Sequence, residues 1–131
     1  MPTEFTVLLQ DRPGALAELG GVLGDAGVNI GAIGGTSLGG GTGRVQSVPN
    51  DPDRTTRALD AAGVRYTKRE VLIVRVLDEP GTLGDVALVM SRAGINIDSV
   101  YVTTHGRVVL GVDDLAGAVQ VAGGMAVMTL D

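Results

Sequence analysis

Two stretches of the chain carry residues suited to holding a small charged molecule. DRPGALAELGGVLGDAGVNI begins at Asp11, DEPGTLGDVALVMSRAGINI begins 67 residues later at Asp78, and nine of the twenty paired positions are identical. Each opens with an Asp before Pro-Gly, and a carboxylate accepts short, strong hydrogen bonds from an ammonium group. Each closes with an Asn, Asn29 or Asn96, whose amide offers both donors and an acceptor. The repeated pattern therefore predicts two candidate binding loops.

The backbone of each loop adds a second kind of binding group. The N–H groups in the first turn of a helix have no partner within that helix, so around Gly14-Ala15-Leu16 and Gly81-Thr82-Leu83 they could bind a carboxylate. A structural interpretation stays open, in which the Asp caps its helix and the Asn stabilises a turn.

The elements that must position these loops follow from hydrophobic periodicity. Residues 5–10 (FTVLLQ) and 71–77 (VLIVRVL) alternate with one wholly apolar face, which predicts strands with one side on a core. Pro in each loop favours a helix start, because its φ is fixed near the helical value and it lacks an N–H. Helical spacing predicts a buried stripe in each following helix, formed by Leu16, Leu19, Val22, Leu23 and Ala26 and by Leu83, Val86, Val89, Met90 and Ala93. Gly27 and Gly94 are the expected left-handed caps.

The rest of each half follows the same order. A second strand runs into a Gly-rich hairpin, GGTSLGGGTGRV in the first half and the shorter YVTTHGRV in the second. We interpret the first hairpin as flexible rather than as a phosphate loop, because a phosphate loop opens a helix. Third strands are expected at 45–49 and 108–112, and Asp51 with Pro52 predicts the start of a second helix. VRYTKR and MAVMTLD are the expected closing strands.

This order predicts an α+β fold of two units, each strand–helix–strand–strand–helix–strand with an antiparallel sheet and helices on one face. The expected units are residues 1–69 and 70–131, with no linker between them and one rigid body as the result. Units of about 65 residues have marginal cores, so each should bury a face against the other. Gly20, Gly21 and Gly24 inside the first helix predict close helix packing, between units or in a homodimer.

Composition excludes several classes of function. The net charge of −5 and the scattered basic residues argue against nucleic-acid binding. The sequence has no Cys, hence no thiolate nucleophile or Cys-ligated metal, and no apolar run of membrane-spanning length. The N-terminus has no signal-peptide pattern, so we expect a cytoplasmic protein. His105 is the only histidine and falls in a hairpin tip without catalytic partners, so no catalytic residue, metal or cofactor is expected.

Taken together, Asp-x-Pro-Gly-x-Leu, a helix and Gly-[Val/Ile]-Asn-Ile resemble the ACT domain, a small regulatory module that binds amino acids. The resemblance covers both units. It implies ferredoxin-like folds with side-by-side sheets and a ligand at the junction of two units, shared by the loop of one and the Asn of the other: Asp11 with Asn96, and Asp78 with Asn29. The residues it implies for ligand binding are Asp11, Arg12, Pro13, Gly14, Ala15, Leu16, Asn29, Ile30, Asp78, Glu79, Pro80, Gly81, Thr82, Leu83, Asn96 and Ile97.

Two departures qualify the implied ligand. Leu9 and Val76 stand where some amino-acid-binding members carry His, which puts serine-type recognition in doubt, and Arg12 is replaced by Glu79 in the second loop. A small apolar or neutral polar amino acid is therefore expected. Three functions remain open: an amino-acid sensor without a catalytic domain, a regulatory subunit or adaptor that acts on an enzyme or regulator partner, as in the glycine-cleavage-repressor type, and, least favoured, a small enzyme.

Overall fold

The computed structural model describes residues 1–130. The chain forms two compact units, which are described separately. The first unit is Thr3–Arg69, and the second comprises Met1–Pro2 and the chain from Glu70 onward.

The first unit contains two helices and a four-stranded sheet with strand order β2-β3-β1-β4. Its elements in chain order are β1 (Thr3–Gln10), α1 (Ala15–Asp25), β2 (Ile30–Gly39), β3 (Thr42–Pro49), α2 (Pro52–Ala61) and β4 (Tyr66–Glu70). β3 pairs antiparallel with both β1 and β2.

The second unit repeats this architecture, with strand order β6-β7-β5-β8. Its elements are β5 (Leu72–Val74), α3 (Thr82–Arg92), β6 (Ile97–Val102), β7 (Val108–Val112), α4 (Leu115–Ala122), a short 3-10 turn (Gly123–Met125) and β8 (Ala126–Val127). Both units thus have the expected βαββαβ order, and the predicted ferredoxin-like α+β class is confirmed.

Each unit has its own apolar core between one face of the sheet and its two helices. In the first, Phe5 and Val7 of β1 pack with Leu23 of α1 and Leu59 of α2. The second core is formed by Leu72, Val74, Val86, Met90, Ile95, Val108, Leu110, Ala118 and Ala122. Because alternate strand residues meet both helices of their unit, each pair of helices lies on one face of its sheet. Full burial of such a side chain stabilises the fold by about 1.5–3 kcal/mol.

The start of the first helix in each unit differs from the prediction. Pro13 and Pro80 are not the first helical residues as expected; Gly14 and Gly81 are the N-cap residues, with φ of 90° and 91°. Only glycine adopts this left-handed conformation without steric cost, so the Pro-Gly pair makes the turn and the helix begins two residues after the proline. Leu16 and Leu83 are 58% and 49% exposed, so their expected burial is wrong.

Two further predictions concern glycines of α1 and α3. Gly27 and Gly94 have φ of 73° and 72°, which confirms them as left-handed residues after the helices. In α1, a Cβ built at Gly20, Gly21 or Gly24 would meet no atom within 4 Å beyond the backbone of the helix itself. These glycines therefore accommodate no close neighbour within their own unit, and close packing in a homodimer stays a prediction.

The strand bounds also differ from expectation. The Gly-rich segment expected to be flexible is largely part of β2 and β3, and only residues 40 and 41 separate these strands. β5 covers three residues of the predicted 71–77, and β8 covers two of the predicted closing strand, whose last residue lies outside the described part. Asp51 is confirmed as a cap, because its carboxylate accepts a hydrogen bond from the Arg54 N–H at 3.0 Å.

Candidate functional site

A cavity of about 440 Å³ lies in the first unit, between the β1–α1 loop and the adjoining parts of β2 and β3. This volume falls within the usual range for small-molecule sites. The lining consists of Leu9, Gln10, Asp11, Arg12, Ala15, Leu16, Ile33, Gly34, Gly35, Thr36, Ser37, Gly43, Arg44 and Val45. Four residues expected at a ligand site are therefore together here, namely Asp11, Arg12, Ala15 and Leu16, whereas Pro13 and Gly14 of the same loop are not in the lining.

Asp11 is held by the β2–β3 hairpin rather than by the helix. Its backbone N–H donates to the Gly41 carbonyl at 2.9 Å, and its Oδ2 accepts a hydrogen bond from the Ser37 hydroxyl at 2.7 Å. Helix α1 has no side-chain cap, so the interpretation of Asp11 as a helix cap is wrong. Within residues 1–130, Oδ1 of Asp11 has no hydrogen bond, which leaves it available to a ligand.

Arg12 is fixed over the loop by three groups. Its guanidinium donates to the Gln10 amide oxygen at 2.9 Å, to the Pro13 carbonyl at 3.1 Å and to both carboxylate oxygens of Glu18 at 3.0 and 3.1 Å. Because both side chains of the Arg12–Glu18 pair are about half or more exposed, the pair adds little stability. Its effect is to offset the positive charge beside the cavity.

The start of α1 leaves backbone donors unused. The Ala15 N–H donates to the Arg12 carbonyl at 3.3 Å, and the Glu18 N–H donates to the Gly14 carbonyl at 2.9 Å. Neither the Leu16 nor the Ala17 N–H has a backbone partner in the part of the chain that the structure describes. Both belong to the positive end of the helix dipole and are suited to an anion.

The floor of the cavity, which the sheet forms, is apolar and carries little side-chain bulk. Strand pairing places Gly35 opposite Val45, and Leu9 opposite Gly43. These positions belong to the sheet face that carries Phe5 and Val7, since alternate residues of a strand share a face. Two of the four are glycines, so the floor is formed largely by backbone.

The second loop has the same backbone but different contacts. Gly81 reproduces the left-handed N-cap, and the Thr82 hydroxyl lies 2.6 Å from the Leu77 carbonyl and 3.0 Å from that of Glu79. Asp78 is exposed, and its carboxylate has no hydrogen bond to any residue that the structure describes. Asp78 and Glu79 make this loop acidic, Asp85 in the first turn of α3 adds a third carboxylate, and the loop has no arginine.

Asn29 and Asn96 take part in matching turns through their backbone. The Asn29 N–H donates to the Asn50 side chain at 3.0 Å, and the Asn96 N–H donates to the Asp113 carboxylate at 2.9 Å. The Asn29 and Asn96 side chains are exposed and make no hydrogen bond within the described residues. The alternative interpretation, in which these side chains stabilise the turns, is therefore wrong. Ile30 and Ile97 are half-buried against the core of their own unit.

Sequence reasoning missed the half of the cavity that β2 and β3 supply. Ser37 and Gly35 lie in the segment interpreted as a flexible hairpin. The only sequence signal was that the second strand pairs antiparallel with residues 45–49. Continuing this pairing toward the hairpin tip would have extended both strands. The second hairpin has no such extension, because it is four residues shorter.

Residues 1–130 show neither a metal centre nor a membrane-spanning helix. No group of three or more His, Asp or Glu side chains there could hold a metal ion. None of the described helices has the length and apolar character needed to cross a membrane. His105 is exposed, as predicted for a hairpin tip.

Solved structures with the same fold cover nearly the whole chain. Protein BT0572 from Bacteroides thetaiotaomicron matches with a TM-score of 0.83 at 21% identity, over 92% of this chain and 85% of that one. The ligand-free regulatory subunit of aspartate kinase from Thermus thermophilus matches with a TM-score of 0.70 at 17% identity, over 92% and 89%. The corresponding subunit from Thermus flavus matches with a TM-score of 0.64 at 18% identity, over 93% and 91%.

The search of curated proteins gave no match. The sequence pattern of the ACT domain, in contrast, matches twice, over residues 3–62 and 71–120. One match falls in each unit, as the repeated motif predicts. The chain therefore belongs to the ACT domain family, with two ACT domains in tandem.

Proposed function

We propose that this protein is a regulatory protein of amino-acid metabolism that binds a free amino acid at the first-unit cavity. The observation that carries the proposal is the cavity itself, where an Asp11 carboxylate oxygen is available and the adjacent helix start has unused N–H donors. An α-amino acid presents an ammonium and a carboxylate separated by one carbon atom. The loop offers a carboxylate oxygen for the ammonium, and the helix start offers N–H donors for the carboxylate.

The two ends of the ligand would be held differently. Asp11 Oδ1 would accept from the ammonium, while Ser37 keeps the other oxygen in place. The ligand carboxylate would accept hydrogen bonds from the Leu16 and Ala17 N–H groups, which compensate its negative charge without a basic side chain. The ligand side chain would then lie on the apolar floor formed by Leu9 and Val45, which favours a small apolar or neutral polar amino acid.

The cavity is open to solvent, and in the ACT family a neighbouring unit commonly shares such a ligand. We propose that Asn96 of the adjoining ACT domain completes the Asp11 site, and that Asn29 would face Asp78 in the reciprocal arrangement. The exposed side chains of Asn29 and Asn96, whose backbone is already hydrogen-bonded, support this proposal. Assembly as a homodimer would supply such neighbours from a second chain.

A screen of the twenty amino acids by thermal shift, followed by calorimetry on the best binder, tests the proposal. Asp11→Asn removes the charge and keeps the shape, and it should weaken affinity about ten- to a hundred-fold, since hydrogen bonds to charged groups contribute about 1.5–3 kcal/mol. Asp78→Asn is the matched control for a first-unit site. Absence of binding by all twenty amino acids would refute the sensor function.

The shared site has its own test in a double-mutant cycle. If Asp11 and Asn96 hold one ligand, Asp11→Ala with Asn96→Ala should lose less affinity than the sum of the single variants. The pair Asp78 and Asn29 provides the second cycle. Additive losses in both cycles, with coupling only between Asp11 and Asn29, would place the ligand within one unit.

A second candidate is an adaptor that acts by protein contact without a ligand. The second unit favours it, because Leu77 and Leu83 at the acidic loop are 67% and 49% exposed and Val102 at the end of β6 is 60% exposed. Solved structures of this fold include regulatory subunits of aspartate kinase, which is the precedent for a partner enzyme. A pulldown that succeeds with Asp11→Ala as well as with the unmodified protein would favour the adaptor.

A further inference from the structure

One position on the cavity floor differs in kind between the two units. In the first unit Gly35 of β2 pairs with Val45 of β3. In the second unit Val102 of β6 pairs with Val108 of β7. Val45 and Val108 both follow Gly-Arg in the repeated GRV segment. Gly35 and Val102 therefore occupy equivalent positions in the two sheets, with no side chain in the first unit and an isopropyl side chain in the second.

The backbone does not require glycine at position 35. Gly35 is absent from the residues with positive φ. A Cβ built there would lie 3.5 Å from the Arg44 carbonyl oxygen and 3.5 Å from Cγ2 of Val45, which is ordinary contact. Since alanine fits the strand, the effect of glycine is on the cavity, because at this position no side chain extends into it.

Gly43, the other glycine of the floor, does not distinguish the units. Its counterpart in the GRV repeat is Gly106, so both units have glycine there. The loop wall does differ, because Ala15 is buried where the second unit has Thr82, whose hydroxyl is bonded to its own loop. At the positions of both Gly35 and Ala15 the second unit has a larger residue than the first.

We infer that Gly35 is the size-determining residue of the amino-acid site in the first unit. This rests on the proposed function, since it names the group that would limit the ligand bound next to Asp11. The equivalent position of the second unit carries Val102, whose side chain is 60% exposed, and Thr82 replaces Ala15 in the loop.

The test is calorimetry of the full-length protein with the twenty free amino acids. Gly35→Ala should lower affinity for the largest side chains that bind and spare the smallest, so that the rank order shifts toward smaller ligands. Gly35→Val places the residue of the second unit in the first. It should lower the affinity for every amino acid except glycine and alanine by about ten-fold or more, because overpacking a fitted site typically carries a penalty of that size. Val is a good strand former, so the melting temperature should not fall.

Val102→Ala is the matched control and should leave affinity and rank order unchanged. Binding by the unmodified protein with the same rank order in Gly35→Ala and Gly35→Val would overturn the inference and leave the sensor function intact. An equal loss from Val102→Ala would overturn it as well. If no amino acid binds the unmodified protein, the proposed function fails and the inference fails with it. Should Gly35→Val not fold, the Gly35→Ala rank order decides.

Discussion

The same substitution, glycine to alanine, should have opposite effects at two places in α1. Gly20 and Gly21 lie in the helix interior, where a Cβ would meet nothing within 4 Å. Alanine there gains the full helix propensity difference of about 1 kcal/mol without a steric penalty. Gly14 at the N-cap has φ of 90°, so alanine would be held in a left-handed conformation that costs about 1–2 kcal/mol.

Urea unfolding followed by circular dichroism measures both effects. Gly20→Ala should raise the free energy of unfolding by about 1 kcal/mol, equivalent to a melting temperature about 3–5 °C higher for a chain of this size. Gly14→Ala should lower the free energy by a similar or larger amount, with an unchanged m-value. A loss of stability in Gly20→Ala would contradict this reasoning.

The same variant addresses the homodimer expected from the glycines of α1. If α1 packed closely against a second copy through these glycines, Gly20→Ala would weaken the dimer while making each monomer more stable. Sedimentation velocity at several protein concentrations separates the two effects. An unchanged monomer–dimer equilibrium would exclude a close glycine contact at α1 in the dimer.

Three other outcomes can be measured on the same protein. Thr82→Ala removes the hydroxyl that bonds the Leu77 carbonyl and should cost about 0.5–1.5 kcal/mol of unfolding free energy, whereas Thr82→Ser should restore most of it. Met90→Ala, at a fully buried position, should cost about 2–5 kcal/mol in the same denaturation assay, and a loss below 1 kcal/mol would contradict the packing described here. The Tyr66 hydroxyl donates a hydrogen bond to Asp60, which raises the pKa of Tyr66. The stabilising effect of this hydrogen bond is therefore complete below pH 10 and is lost as the pH rises through the raised pKa. Tyr66→Phe should flatten the alkaline decline in the free energy of unfolding, and an unchanged pH profile would count against this reasoning.

The parts of the fold that local sequence determines were predictable. The stripe through Leu19 and Leu23 recurs at helical spacing, and Asp51 before Pro52 is a cap signal contained in four residues. The repeat at 67 residues then predicted that the second unit would have the same order of elements. Each of these signals lies within one helix or between two aligned copies, so no tertiary contact was needed to identify it.

The candidate site was only half predictable, for a physical reason. The Asp-x-Pro-Gly loop is a local signal, whereas the hydrogen bond from Ser37 to Asp11 joins residues 26 apart in the sequence. Glycines have low strand propensity, and pairing with β3 overrides that preference for Gly34 and Gly35. Leu16 was misassigned because the same periodicity describes a core residue and a residue at the helix start that faces a cavity.

The two candidate binding loops are built mainly from backbone, and this has an evolutionary consequence. The left-handed Gly14 and Gly81 and the N–H groups of Asn29 and Asn96 hold matching conformations, while Glu79 and Thr82 differ from their counterparts in the first loop. After a duplication, selection on the fold therefore constrains a few glycines and asparagines and leaves the neighbouring side chains free to drift. One copy could change its chemistry through a series of folded intermediates, so recognition could be lost or gained in one half while the other continued to work.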